Sequence, residues 1–346
     1  MRKLSVYFLI ICCLVIPVSG MEFTAPTAPE YAQPYMPDET ETFAQGLLHI
    51  ITSAIGALRP EFRDVFRICT RLIISVLLLS VANSISGDYS SPVRLVGSLV
   101  IGVLLLEPVN TMIQLGTDTV VHISEYGKML LPVLTAAVAA QGGTTSSAAM
   151  YVGTVFFDSL LTSVIARFIV PALYVFLCLS VAESAIEHAL LKKMCDFMKW
   201  LMTWCMKIIL YVFTGYIGIT GIISGSVDAS VLKATKLTIS GMVPVVGGIL
   251  ADASETILIS AGLMKNAAGV YGILAVIAIC VVPFLQIGCH YFLLKISAAI
   301  CNVFGYKPAA GLVNSFMTGM GFVLAMTGTV CMLLLISLVC FIKGMS

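Results

Sequence analysis

The sequence predicts an all-α, polytopic membrane protein with about six to eight membrane helices. Its 346 residues are 59% hydrophobic and only 11% charged, and the mean hydropathy is +1.03. Uncharged runs of 29, 29 and 35 residues occupy 129–157, 266–294 and 308–342, and each exceeds the roughly 20 residues that a membrane helix needs. These runs are continuously apolar, whereas a transmembrane barrel alternates apolar and polar residues. We therefore expect helices whose solvent is lipid.

Charge and motif content argue against several classes of function. The net charge of +1 argues against nucleic acid as the main partner. The 11 cysteines show no metal-ligand spacing, and we expect them to act as small apolar side chains. The sequence contains no nucleophile elbow, phosphate loop or zinc motif. We expect no enzymatic activity, no cofactor and no bound metal.

The N-terminal region divides into two predicted segments. Residues 1–20 have a basic start, a short apolar run and small residues at the end, which is the pattern of a signal peptide; an uncleaved first anchor is the alternative. Residues 21–42 hold four prolines and five acidic residues. Such a composition buries too little apolar area to order itself, so we expect an extended, exported linker.

Residues 43–71 form a predicted amphipathic region that precedes the polytopic domain, 72–346. Pro60 suits the first turn of a new helix. Arginines recur at every fourth position, which places them in one stripe on a helix. One interpretation is an interfacial helix with snorkelling arginines; the other is a face for a partner or for anionic lipid. The stripe consists of Arg59, Arg63, Arg67 and Arg71.

An internal repeat is the next expectation. Pro132 and Pro171 are separated by 39 residues, as are Pro244 and Pro283. Repeats with proline- or glycine-broken helices are common in transport folds. We expect residues 128–223 and 240–338 to share their helix order, although a similar membrane composition could also produce the match.

Charged side chains within apolar spans are the candidate functional residues, because their burial in lipid is costly. Asp252 and Glu255 follow a Pro/Gly break and share a helix face at i, i+3. They can line a watery cavity or lie at the membrane surface between two short helices. The full set of candidates is Glu107, Asp158, Arg167, Asp252 and Glu255.

Basic residues indicate the orientation. Lys192, Lys193, Lys199 and Lys207 form a cluster with two tryptophans, and the positive-inside rule places such a cluster in the cytoplasm. The signal-like start predicts an exported N-terminal region.

The run from Lys236 to Thr256, KLTISGMVPVVGGILADASET, resembles stage III sporulation protein AE, a family of polytopic membrane proteins of endospore-forming bacteria. The resemblance extends over nearly the whole chain and implies expression in the mother cell. It implies that the partners are other stage III sporulation membrane proteins, together with the lipid bilayer, in a transenvelope assembly joined to the forespore.

The same resemblance implies a channel or feeding apparatus that is needed for late forespore gene expression. The family supplies no catalytic residues. The alternative function is an independent secondary transporter or permease, which the repeat and the acidic pair suggest.

Overall fold

A computed structural model describes residues 25–37, 43–86, 90–140, 144–223, 267–303 and 307–343. Within these ranges the regular structure is helical, and strands are absent. A short 3-10 turn at Gln33–Tyr35 precedes the long helices. We number the helices α1 Phe43–Ile85, α2 Ser90–Ala140, α3 Thr144–Val164, α4 Val170–Ile186, α5 Ala189–Ile223, α6 Ala267–Val303 and α7 Lys307–Lys343.

Six helical segments of the described chain are long and apolar enough to cross a membrane. A single π turn, Ile165–Ile169, joins α3 to α4, so that these two helices count as one span, Ala148–Ile186. The prediction of an all-α polytopic membrane protein is therefore confirmed. The long helices also exceed the hydrocarbon core: the 51 residues of α2 extend over about 76 Å, whereas the core is about 30 Å thick.

Helix α7 is the most buried span, because 72% of its most apolar window lies inside the protein. It runs parallel to α2, with Gly116 beside Val323 and Gly127 beside Leu334. It runs antiparallel to α6, because Gly269 contacts Ile342 near the end of α7 whereas Tyr291 lies beside Gly321. Its lack of charge between the terminal lysines suits this central position.

Small residues make close helix packing possible, but not everywhere that the sequence offers them. Gly319 and Gly328 of α7 lie against Leu177 and Phe284, as membrane helix packing predicts. Gly215 and Gly218 of α5, which have a similar helical spacing, have no atom of another described element within 4 Å of an added Cβ.

Helix α1 continues through Pro60. The preference of proline for the first turn of a helix had predicted that a new helix begins there. An internal proline costs roughly 3 kcal/mol, since a backbone hydrogen bond is lost. Buried side chains on both sides of it, from Ile50 to Val76, pack α1 along α6 and offset that cost. No break separates residues 43–71 from the polytopic domain.

The segment 25–37 differs from the expected unordered linker. Ala28 and Ala32 are buried in the protein core. The Tyr126 hydroxyl donates to the carbonyl of Pro26 over 3.1 Å, and the Ala28 amide donates to the Tyr271 hydroxyl over 3.3 Å. Tyrosines from the helices thus supply the backbone partners that the segment cannot supply itself. Its export stays a prediction, and the predicted signal peptide lies outside the described residues.

The repeat also stays a prediction. The described part of the second half contains α6 and α7, which can be compared with α3–α4 and α5 of the first half. Pro171 follows the π turn, and Pro283 lies inside the continuous helix α6. Pro244 lies outside the described residues, so a third helix cannot be matched.

Candidate functional site: polar side chains buried between the helices

Asp158 is the predicted candidate that the structure buries. It lies on α3 within the span Ala148–Ile186 and is 2% exposed. The Ser124 hydroxyl of α2 donates a hydrogen bond to its Oδ2. Its Oδ1 is buried and has no hydrogen-bond partner among the described residues. Burial of a carboxylate without full satisfaction is costly, so this residue marks the strongest candidate site.

Hydroxyl groups extend the site along α3. Thr154 and Thr162 lie four residues before and after Asp158, which places all three on one helix face. The Thr154 hydroxyl donates to Ser337 Oγ of α7 over 3.2 Å, whereas Thr162 Oγ1 is buried without a partner in the described chain. We call this set the polar seam: Ser124, Thr154, Asp158, Thr162 and Ser337.

Lys128 is the basic residue nearest to the polar seam on α2. It lies one helical turn beyond Ser124 and attracts the charge of Asp158, yet its side chain is exposed. None of the ion pairs among the described residues includes Asp158. Within the part of the chain that the structure describes, the carboxylate therefore has no bonded counter-ion.

The chemistry of the polar seam is that of oxygen atoms. A carboxylate with neighbouring hydroxyls can accept a proton or coordinate a hard cation. The described chain contains no group of three or more His, Cys, Asp or Glu that could hold a metal ion. The seam is therefore suited to binding a proton or a single small cation.

The other predicted intramembrane residues do not join the polar seam. Glu107 on α2 and Arg167 in the π turn are both exposed. Arg167 forms none of the ion pairs of the described residues, as its distance of nine positions from Asp158 predicts. Asp252 and Glu255 lie outside the described residues.

The predicted arginine stripe lies on the exposed face of α1, and all four of its arginines, at 59, 63, 67 and 71, are exposed. Arg67 pairs with Asp64 at 3.0 Å, and both side chains are more than half exposed. Phe62 and Phe66 are 52% and 68% exposed on the same helix. The stripe and its aromatic neighbours thus face away from the helix core, as the fourfold spacing predicts.

A second polar cluster, which was not predicted from the sequence, lies between α1 and α6. Gln286 Nε2 donates to Glu61 Oε1 over 3.3 Å. His290 is 8% exposed, and its Nδ1 lies 3.1 Å from the Gln286 carbonyl. The i, i+4 spacing of Gln286 and His290 inside an uncharged run was the available signal. Glu61, the partner of Gln286, is 225 positions away along the chain.

A third polar contact lies at the start of α7, whereas the polar seam includes Ser337 near the end of that helix. Arg94 of α2 pairs with Glu187 at 2.9 Å and also donates to the carbonyl of Ala185. Ser184 donates to the carbonyl of Pro308 over 2.9 Å. This contact joins the start of α2, the end of α4 and the start of α7.

Comparison with known proteins gives one family. The chain matches the family model of stage III sporulation protein AE over residues 35–344. It is also similar to stage III sporulation protein AE of Bacillus subtilis (strain 168), with 22% identity over 246 residues, or 71% of this chain. The aligned part spans 62% of that relative's length. No solved structure matches the chain.

Proposed function

The chain belongs to the stage III sporulation protein AE family, and from that premise we propose that it is a membrane component of a transenvelope apparatus joining the mother cell to the forespore. Its partners in this proposal are other stage III sporulation membrane proteins. Its location is the mother-cell membrane around the forespore, with the N-terminal region exported. The apparatus acts as a channel needed for late forespore gene expression.

The observation that carries this proposal is the family match over residues 35–344 of a chain whose described part has six potential membrane spans. The match includes every helix from α1 to α7, so the resemblance concerns the whole membrane body. A chain with these spans supplies a fixed body in the bilayer, which is what a membrane component of an assembly requires.

The buried Asp158 favours a second function, independent secondary transport. Carboxylates buried in membrane spans often belong to ion or proton pathways. In this alternative the chain works without the other stage III proteins. The assembly requires other stage III sporulation membrane proteins to copurify with the chain, and the transporter does not.

A pull-down from sporulating cells separates them. The tagged full-length chain is solubilised in mild detergent, and its partners are identified by mass spectrometry. We expect other stage III sporulation membrane proteins to be enriched over a control with an equally tagged, unrelated polytopic protein. The assembly would be contradicted, and the transporter favoured, if the tagged chain is recovered alone while its deletion in a separate strain blocks late forespore reporters.

A further inference from the structure

The carboxylate of Asp158 is the most isolated charge inside the described helices. It is 2% exposed, one of its oxygens has no partner among the described residues, and no ion pair of those residues neutralises it. A bare carboxylate in hydrocarbon costs several kcal/mol, of order 3 on insertion scales. A bound positive charge would remove that cost.

We propose that the polar seam binds one small monovalent cation, a sodium ion or a proton, at Asp158. The free Oδ1 and the free Thr162 Oγ1 are both buried on one face of α3. Two unused oxygen atoms on one face, one helical turn apart, form the nucleus of a coordination site. For a proton, Oδ1 is the acceptor atom, and the Ser124 hydroxyl keeps its bond to Oδ2.

The number and type of ligands limit the cation to one positive charge. Asp158 contributes one negative charge, and the hydroxyls of Ser124 and Thr162 contribute none. A divalent ion would leave an excess positive charge in a low-dielectric surrounding. Hydroxyl and carboxylate oxygens suit hard cations rather than thiophilic metals.

Among the described side chains around the polar seam, Lys128 is the main positive charge that competes with a bound cation for Asp158. From α2, the charged groups on this side are Lys128 and Glu125, both exposed. From α5, Tyr216 packs on Phe157, the neighbour of Asp158, with 5.4 Å between ring centroids. The packed face of α7 carries the neutral Ser337, and this helix holds no charged residue between Lys307 and Lys343.

The backbone beside the seam is also irregular. The π turn Ile165–Ile169 begins three positions after Thr162, and single π turns inside helices often mark functional positions. This second feature places the unpartnered Thr162 hydroxyl next to a change of helical pitch.

Thermal unfolding of the purified full-length protein in detergent tests the proposal. Midpoints are compared in sodium chloride and in choline chloride at equal ionic strength, over a series of pH values. A sodium-dependent rise of several degrees in the wild type, lost in Asp158→Asn, identifies sodium. A rise on acidification that sodium does not change, and that Asp158→Asn removes, identifies the proton.

Controls keep the test decisive. Glu107→Gln removes an exposed carboxylate of α2 and should leave the response unchanged. Lys128→Gln should keep or strengthen the cation response, because a competing positive charge is removed. Loss of the response in this variant would contradict the proposal. Ser124→Ala should require more cation for the same rise, and this variant still tests the site if Asp158→Asn does not fold.

A wild type that responds to neither sodium nor pH overturns the inference, as does an Asp158→Asn variant that responds like the wild type. The inference does not rest on the proposed assembly. The pull-down can fail while the cation response stands, and the reverse also holds.

Discussion

At the residue scale, the turn between α4 and α5 depends on one unusual backbone conformation. Glu187 has φ of 51° and lies in the left-handed region, where its amide donates to the carbonyl of Glu183. Side chains with a Cβ pay roughly 1 kcal/mol or more in this region, and glycine does not. Its carboxylate pairs with Arg94, but it is 51% exposed, so the pair contributes about 1 kcal/mol at most.

Two substitutions of Glu187 therefore separate strain from charge. Glu187→Ala and Glu187→Gly both lose the pair with Arg94, but only glycine removes the left-handed strain. We expect the glycine variant to be more stable than the alanine variant by about 1 kcal/mol. The measurement is thermal unfolding in detergent, and equal midpoints for the two variants would contradict the argument.

The contact of α2 with α7 depends on the absence of a single side chain. A Cβ on Gly116 would lie 2.5 Å from Val323 Cγ1 and 3.1 Å from Met326 Cε. Overpacking of this kind typically costs about 1–3 kcal/mol. We expect Gly116→Ala to lower the unfolding midpoint by several degrees.

Gly288→Ala is the matched control for Gly116→Ala. Gly288 also lies inside a long helix, α6, but has no atom of another described element within 4 Å of an added Cβ. Alanine is the better helix former there, so the midpoint should stay or rise. A fall equal to that of Gly116→Ala would show that the close contact is not the cause.

At the element scale, α1 changes its surroundings along its length. Its arginine stripe is exposed between residues 59 and 71. The following turns expose large apolar side chains, and the start of α2 exposes a similar set, including Leu95, Leu99 and Val103. Contiguous exposed apolar surface of this kind is suited to lipid. The apolar set on α1 is Ile74, Leu77, Leu78, Val81 and Ile85.

Cysteine labelling tests this division of α1. In membrane fragments open on both sides, a water-soluble maleimide should label Arg63→Cys and leave Leu78→Cys unlabelled, because its reaction needs a hydrated thiolate. Both positions are exposed in the protein itself, so burial by other helices does not explain a difference. The unmodified chain gives the background of native cysteines, and strong labelling at position 78 would exclude lipid there.

The sequence predicted individual helices better than the contacts between them. The uncharged runs located α6, α7 and much of α3, because lipid demands long apolar segments. Asp158 was found because a charge next to such a run is conspicuous. Its hydroxyl partner Ser124 was not predicted, and neither was the contact of Thr154 with Ser337, since serines are common and only helix packing selects them. The continuity of α1 through Pro60 likewise depends on tertiary contacts with α6 that local propensity does not contain.

At the scale of the whole molecule, the ordered N-terminal segment and the first two lysines of the cluster, Lys192 and Lys193, lie at opposite ends of the helices. Ala28 contacts Tyr271, near the end of α7 where Gly269 meets Ile342. Ser184 contacts Pro308 at the start of α7, eight positions before Lys192. The 37 residues of α7 separate these ends by about 55 Å, which exceeds the thickness of the hydrocarbon core.

This separation sharpens the predicted orientation. Arg94, Lys192 and Lys193 gather at the end near Pro308, which the positive-inside rule places in the cytoplasm. On this prediction, the segment 25–37 at the other end faces outward. We expect a membrane-impermeant maleimide added to intact protoplasts to label Glu30→Cys strongly, and Lys193→Cys only after the membrane is permeabilised. Both native side chains are exposed, so access to water on each side decides the result. Labelling of position 193 from outside, with position 30 protected until permeabilisation, would reverse the orientation and with it the exported position of the N-terminal region.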